Sequence, residues 1–230
     1  MDKSFYISEI DAKIFARIDG KSYKKICPLP LSDLRYLHVL HKKLNNSTPN
    51  LTTEELTSKG LNVLQRNSNN STPCLDSKEE LISEGELICN IRIAKPLIEI
   101  FRRLYEADYP IEKIRLIDEY DADDELSMRD NNSSCFNFRY VSFTNRISLH
   151  GYGLAVDINP LYNPYIKTVD GRKIIAPDNS SDYEDRSKIF PYKIEKDDLC
   201  CQLFKAHGFL WGGDCWDDEK DYQHFFKELI

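Results

Sequence analysis

Ser148-Leu-His150-Gly-Tyr-Gly-Leu-Ala-Val-Asp157-Ile-Asn-Pro160 puts an imidazole, a glycine-bearing turn and a carboxylate into one short stretch. Leu154 to Ile158 has the length and apolar content of a strand, with Asp157 inside it and His150 just before it. Gly151 and Gly153 permit the tight backbone that would bring the two side chains to one point. A short apolar strand entered from a compact turn, in a chain without regular strand–helix alternation, predicts an α+β fold with a small, mainly antiparallel sheet.

The chain contains five histidines, and a second one lies in an equally unusual setting. Trp211-Gly-Gly-Asp-Cys-Trp216 is followed by Asp221-Tyr-Gln-His224-Phe-Phe226. A catalytic zinc takes three protein ligands from neutral imidazole and carboxylate and leaves a fourth position for water. His150, Asp157 and His224 supply that set. Asp221, three residues before His224, is close enough to contact the water rather than the metal, where a general base is needed. Each residue also has a plainer role: a lone strand histidine usually hydrogen-bonds in a core, Asp157 suits a turn cap, and Trp211-Gly-Gly suits a turn on an aromatic core. Their coincidence points to a metal site.

Away from these motifs, residues 5–19 alternate loosely and predict an edge strand. Ser32 ahead of Leu34, Leu37, Leu40 and Leu44 predicts a capped helix, with His38 and His41 on its surface. Pro96 is placed at the first position of a helix carrying Leu97, Ile100, Phe101 and Leu104. Residues 113–120 and 136–143 read as strands, the latter with Arg139 and Val141 on one face. Asp121 reads as a helix cap in an acidic run (Asp121, Asp123, Asp124, Glu125) that lacks the glycine of a calcium loop. Leu199, Cys200, Leu203 and Phe204 predict a helix closing on Gly208. Residues 45–84, rich in Asn, Ser, Thr and Pro, read as a polar surface insertion in a single domain spanning 1–230.

Composition removes several functions. Thirty-eight acidic against 31 basic residues give a net charge of −7, a poor basis for binding nucleic acid or an anionic membrane. No stretch has the roughly 18 apolar residues of a membrane span. Seven cysteines, an odd number without Cys-x-x-Cys spacing, read as free thiols rather than a zinc ribbon or a disulfide framework.

SLHGYGLAVDINP resembles the S-x-H-x-x-G-x-A-x-D pattern of the VanY-like zinc D-Ala-D-Ala carboxypeptidases and L-alanyl-D-glutamate endopeptidases, and WGGDCW…DYQHF resembles their second motif. NNSSCFNFR and GELICNIRIA are similar to the Gram-positive branch. The resemblance spans roughly 85–228, and the polar insertion is the main departure from it. It implies a Hedgehog/DD-peptidase fold and a zinc metallopeptidase acting on peptidoglycan stem peptides, as a monomer in the cell envelope or outside the cell. It further implies zinc on His150, Asp157 and His224, Asp221 as catalytic base, Arg139 facing the oxyanion and Ser148 touching substrate. A zinc-holding module that binds wall peptides without cutting them is the alternative, and loss of the base would be its signature.

Overall fold

The computed structural model describes residues 4–44, 82–141, 144–216 and 218–228. Strand β1 (Tyr6–Ser8) leads into helix α1 (Ala12–Ile18). Asp11 caps α1 by accepting from the Ile14 amide at 2.8 Å. Two long strands, β2 (Leu34–Lys42) and β3 (Ile82–Asn90), complete an antiparallel sheet ordered β1-β2-β3. The expected edge strand over residues 5–19 thus divides into a strand and a helix.

The helix expected at residues 34–44 is β2. Its leucines fit a helical stripe, but the chain satisfies its backbone on both sides instead, against β1 and along a ladder running from Leu34↔Asn90 to Lys42↔Ile82. Burial of Leu37, Val39 and His41 follows the two-residue period of a strand. His41 is consequently no surface histidine: it is 3% exposed, with Nδ1 2.7 Å from the Ile111 carbonyl. His38 is half-buried and stacks on Tyr6 at 5.0 Å. Ile82–Glu84 pair with Leu40–Lys42, so the sheet claims the last three residues assigned to the insertion. Residues 45–81 lie outside the described residues.

Helix α2 (Ile91–Glu106) follows β3 directly, because the Asn90 side chain caps it by accepting from the Arg92 amide. Pro96 therefore sits inside the helix, where it removes one bond from the ladder. Ile93, Leu97, Ile100, Phe101 and Leu104 form the buried stripe. Of the strand expected at 113–120, only β4 (Lys113–Ile114) forms. A 3-10 turn at Ile117–Tyr120 replaces the rest, held by Asp118 accepting from the Ser22 amide and hydroxyl, both at 3.0 Å. Asp121 adopts a left-handed conformation, and Asp123 instead caps helix α3 (Asp124–Arg129). β5 (Asn132–Ser133) pairs with β4 in parallel.

Residues 136–141 are extended, but a single bridge, Tyr140↔Ile147, is all the pairing that qualifies as β structure there; 142–143 lie outside the described residues. Next come β6 (Ala155–Asp157), β7 (Tyr165–Val169), β8 (Arg172–Ala176), helix α4 (Leu199–Ala206), β9 (Leu210–Trp211), the short α5 (Gly212–Cys215), β10 (Glu219–Asp221) and β11 (His224–Phe226). They form two antiparallel sheets, β6-β11-β9 and β10-β7-β8. Helix α4 ends as expected, with Gly208 at φ +76°. The six described cysteines are free, and four are buried.

The class is therefore α+β with small antiparallel sheets. The larger of two apolar clusters joins Leu37, Val39 and Leu87 of the first sheet, Leu97 and Phe101 of α2, Phe204 of α4, and Val156 and Phe225 of the β6-β11 ladder; the smaller packs Ile18 of α1 and Leu34 and Ile88 of the first sheet against Leu116, Phe136 and Phe138. Phe204 stacks on Phe225 at 4.2 Å, so the strand that carries His224 is fastened to the helix behind it.

Candidate metal centre

Three elements meet at one point. In the β6-β11 ladder His224 faces Asp157 directly, which places both side chains on the same side. His150 comes from the 3-10 turn Leu149–Tyr152 just ahead of β6, where the Ser148 hydroxyl caps the turn by accepting from the His150 amide at 3.3 Å. Gly153 closes that turn at φ +63°. A Cβ there would stand 2.7 Å from the Asn90 amide, which donates to the Gly153 carbonyl, so the turn packs hard against the end of β3.

His150 Nδ1 lies 2.6 Å from the Cys135 carbonyl. A carbonyl only accepts, so Nδ1 carries the proton and the neutral ring presents a bare lone pair at Nε2. That Nε2 lies 3.2 Å from Asp157 Oδ2 and 3.2 Å from His224 Nδ1, while His224 Nδ1 lies 2.9 Å from Asp157 Oδ1. The ligand atoms of the three residues all fall within 4.8 Å of one another. Ligands about 2.0–2.1 Å from a tetrahedral zinc stand roughly 3.3 Å apart. The donor set and its spacing therefore fit a zinc ion, with no thiolate in the cluster.

Electrostatics agree. Burial alone would push the Asp157 carboxyl up, but His150 and His224 beside it hold it well below the usual carboxylate range. Burial disfavours the charged form of His150, yet the adjacent Asp157 outweighs it and the imidazole pKa is raised.

Asp221 lies on β10, a two-residue turn before β11 and outside the converging trio. The residue is half-buried, but Oδ1 is closed to solvent and has no hydrogen-bond partner. Burial pushes its pKa up to about 7; the Asp157 charge adds to the rise, and His224 and Arg139 oppose it. A carboxyl poised near neutrality can both take and return a proton. Trp211 Nε1 donates to the Tyr222 carbonyl at 2.9 Å, which fixes the turn between Asp221 and His224.

Arg139 belongs to an irregular hairpin. The Asn137 amide donates to the His150 carbonyl, and the Ser148 amide donates to the Arg139 carbonyl. Its Nη2 lies 2.6 Å from Asp124 Oδ2, and its Nε is buried without a partner. Its charge is felt at both His150 and Asp221. Thus His150, Asp157 and His224 are in mutual contact, Asp221 and Arg139 stand within electrostatic reach, and Ser148 is buried with its hydroxyl used as a turn cap. Sequence reasoning missed Asp124, which it read only as part of an acidic helix start. It also missed the Cys135 carbonyl, a backbone group that no residue pattern could have revealed.

Residues 142–227 match the family model described as D-alanyl-D-alanine carboxypeptidase. The matched segment contains His150, Asp157, Asp221 and His224 and begins three residues after Arg139. No curated protein and no solved structure matches the chain. The match supports a peptidase of the D-Ala-D-Ala carboxypeptidase type.

Proposed function

We propose that the protein is a zinc-dependent peptidase of the Hedgehog/DD-peptidase type that cuts peptide bonds in the stem peptides of bacterial peptidoglycan. It would act as a single-domain monomer in the cell envelope or outside the cell, as a D-Ala-D-Ala carboxypeptidase or an L-alanyl-D-glutamate endopeptidase. The observation that carries this reading is the convergence of two imidazoles and a carboxylate within 4.8 Å, with the Asp221 carboxyl, whose Oδ1 is buried and unpartnered, in the neighbouring strand. Among the described residues no helix is long and apolar enough to cross a membrane.

His150, Asp157 and His224 would hold the ion. A zinc bound there supplies a Lewis acid for the scissile carbonyl and brings the pKa of the attacking water toward about 7. Asp221 accepts the proton of that water and passes it to the departing amine. The Arg139 guanidinium, whose charge reaches the site, would stabilise the carbonyl oxygen as negative charge grows on it. Ser148 borders the first ligand, and its hydroxyl caps the turn that presents it.

Purified protein with measured zinc content, incubated with peptidoglycan, should release new peptide termini that mass spectrometry identifies. Zinc binding without any cleavage, in a protein whose Asp221 is intact, would favour the wall-peptide binding module instead.

A further inference from the structure

We propose that Asp124 is a positioning residue that sets the guanidinium of Arg139 for catalysis; the inference rests on the peptidase reading above. Arg139 extends from a segment paired with the turn that carries His150. Asp124 grips one end of its guanidinium, Nη2 to Oδ2 at 2.6 Å, and leaves Nε–H buried and free. A guanidinium offers five N–H donors in a rigid fork, so fixing one end fixes the direction of the rest.

Asp124 is itself well anchored. It is the first residue of α3, whose start is capped by Asp123. The far end of α3 is tied by Arg129 to Asp178 at 3.0 Å and by the Asn179 side chain donating to the Arg129 carbonyl at 3.2 Å. Two residues ahead of Asp124, the Ala122 carbonyl accepts from the Asn137 side chain at 3.3 Å. Residues 122–124 thus hold the extended segment at both 137 and 139. Alternate residues of an extended chain share a face, so both grips act on the face that bears Arg139.

The ion pair is partly exposed, at 25% and 31% for the two side chains, so its contribution to stability is modest. Its worth lies in direction: a misplacement of about 1 Å in a catalytic group costs on the order of 10²-fold in rate. The competing account is that Asp124 merely favours the N-terminus of α3.

The test uses the full-length zinc-loaded protein, a muropeptide that the wild type cleaves, and the variants Asp124→Asn, Asp124→Glu, Arg139→Ala and Asp124→Asn with Arg139→Ala. Asp124→Asn should lower kcat by about 10- to 100-fold with KM and zinc content little changed, and Asp124→Glu should restore part of the loss. In the Arg139→Ala background, Asp124→Asn should cost nothing further, because the residue acts through Arg139. Multiplicative losses in the double variant, or wild-type kcat in Asp124→Asn, overturn the proposal. A second readout does not need turnover: the Arg139 Nε–H resonance should be sharp and slowly exchanging in wild type and lost in Asp124→Asn. An unchanged resonance overturns the positioning role. A wild type that cleaves nothing but shows this resonance change overturns the peptidase reading while leaving the Asp124–Arg139 arrangement standing.

Discussion

Gly212→Ala should disable the protein without emptying its metal site. A Cβ on Gly212 would lie 2.5 Å from the Asp221 carbonyl oxygen, 2.8 Å from Asp221 Cβ and 2.9 Å from the Trp216 ring. Ordinary contact begins at 3.4 Å, so β10 must retreat by about 0.9 Å for the methyl to fit. The retreat falls on Asp221, which the register with Tyr165 otherwise holds in place. His224 belongs to the next strand and is kept by its ladder with β6. Zinc content should therefore stay near one per chain, while kcat/KM on the muropeptide falls by roughly 10²-fold, the cost of a base misplaced by about 1 Å. Overpacking should also lower stability by about 1–3 kcal/mol, read by denaturant unfolding. Undiminished turnover in a folded Gly212→Ala protein would show that the close approach of Gly212 does not set the position of Asp221.

Arg139→Ala should cut turnover by about 10²–10³ with zinc retained, the usual cost of one oxyanion donor, as steady-state kinetics with metal analysis will show. In metal-free protein, Asp221→Asn should become more stable than wild type as pH rises. The folded state keeps the Asp221 proton up to about pH 7, whereas the unfolded chain releases it near 3.8, so the wild type loses stability between those values and the variant does not. The difference should be absent below about pH 4 and level off at or below an order of 4 kcal/mol above pH 7; urea unfolding that shows a pH-independent difference would contradict the buried, unpartnered carboxyl. Finally, Lys42 faces Ile82 across the β2-β3 ladder. Replacing residues 45–81 by a short connection should preserve zinc binding and change stability little. Loss of folding in that variant would make the removed residues structural.

Where sequence reading succeeded, the information was local. The span from His150 to Asp157 folds on itself through one glycine turn and one strand, and helix α4 has its own cap and terminal glycine. It failed where distant partners decide. The leucines of β2 satisfy a helical stripe equally well, and only β1 and β3, the latter far along the chain, make the segment a strand. Pro96 looked like a helix start because the true cap, Asn90, lies at the end of a strand. Asp124 lies fifteen positions before Arg139, and no local pattern links an acidic helix start to an arginine on an extended segment.

Because His224 and Asp157 face each other across a three-residue ladder, an ion held between them would rivet two strands together. A slip of one residue would turn His224 to the opposite side and break the site, so occupancy reports the register directly. Removing the ion should loosen this seam before the rest of the molecule, because α2 and the long β2-β3 pairing do not depend on it. Chelation should speed amide exchange first along β6 and β11, and protease cleavage should begin near the C-terminus. The ion would then serve as a fastener for the last strand as well as a reagent.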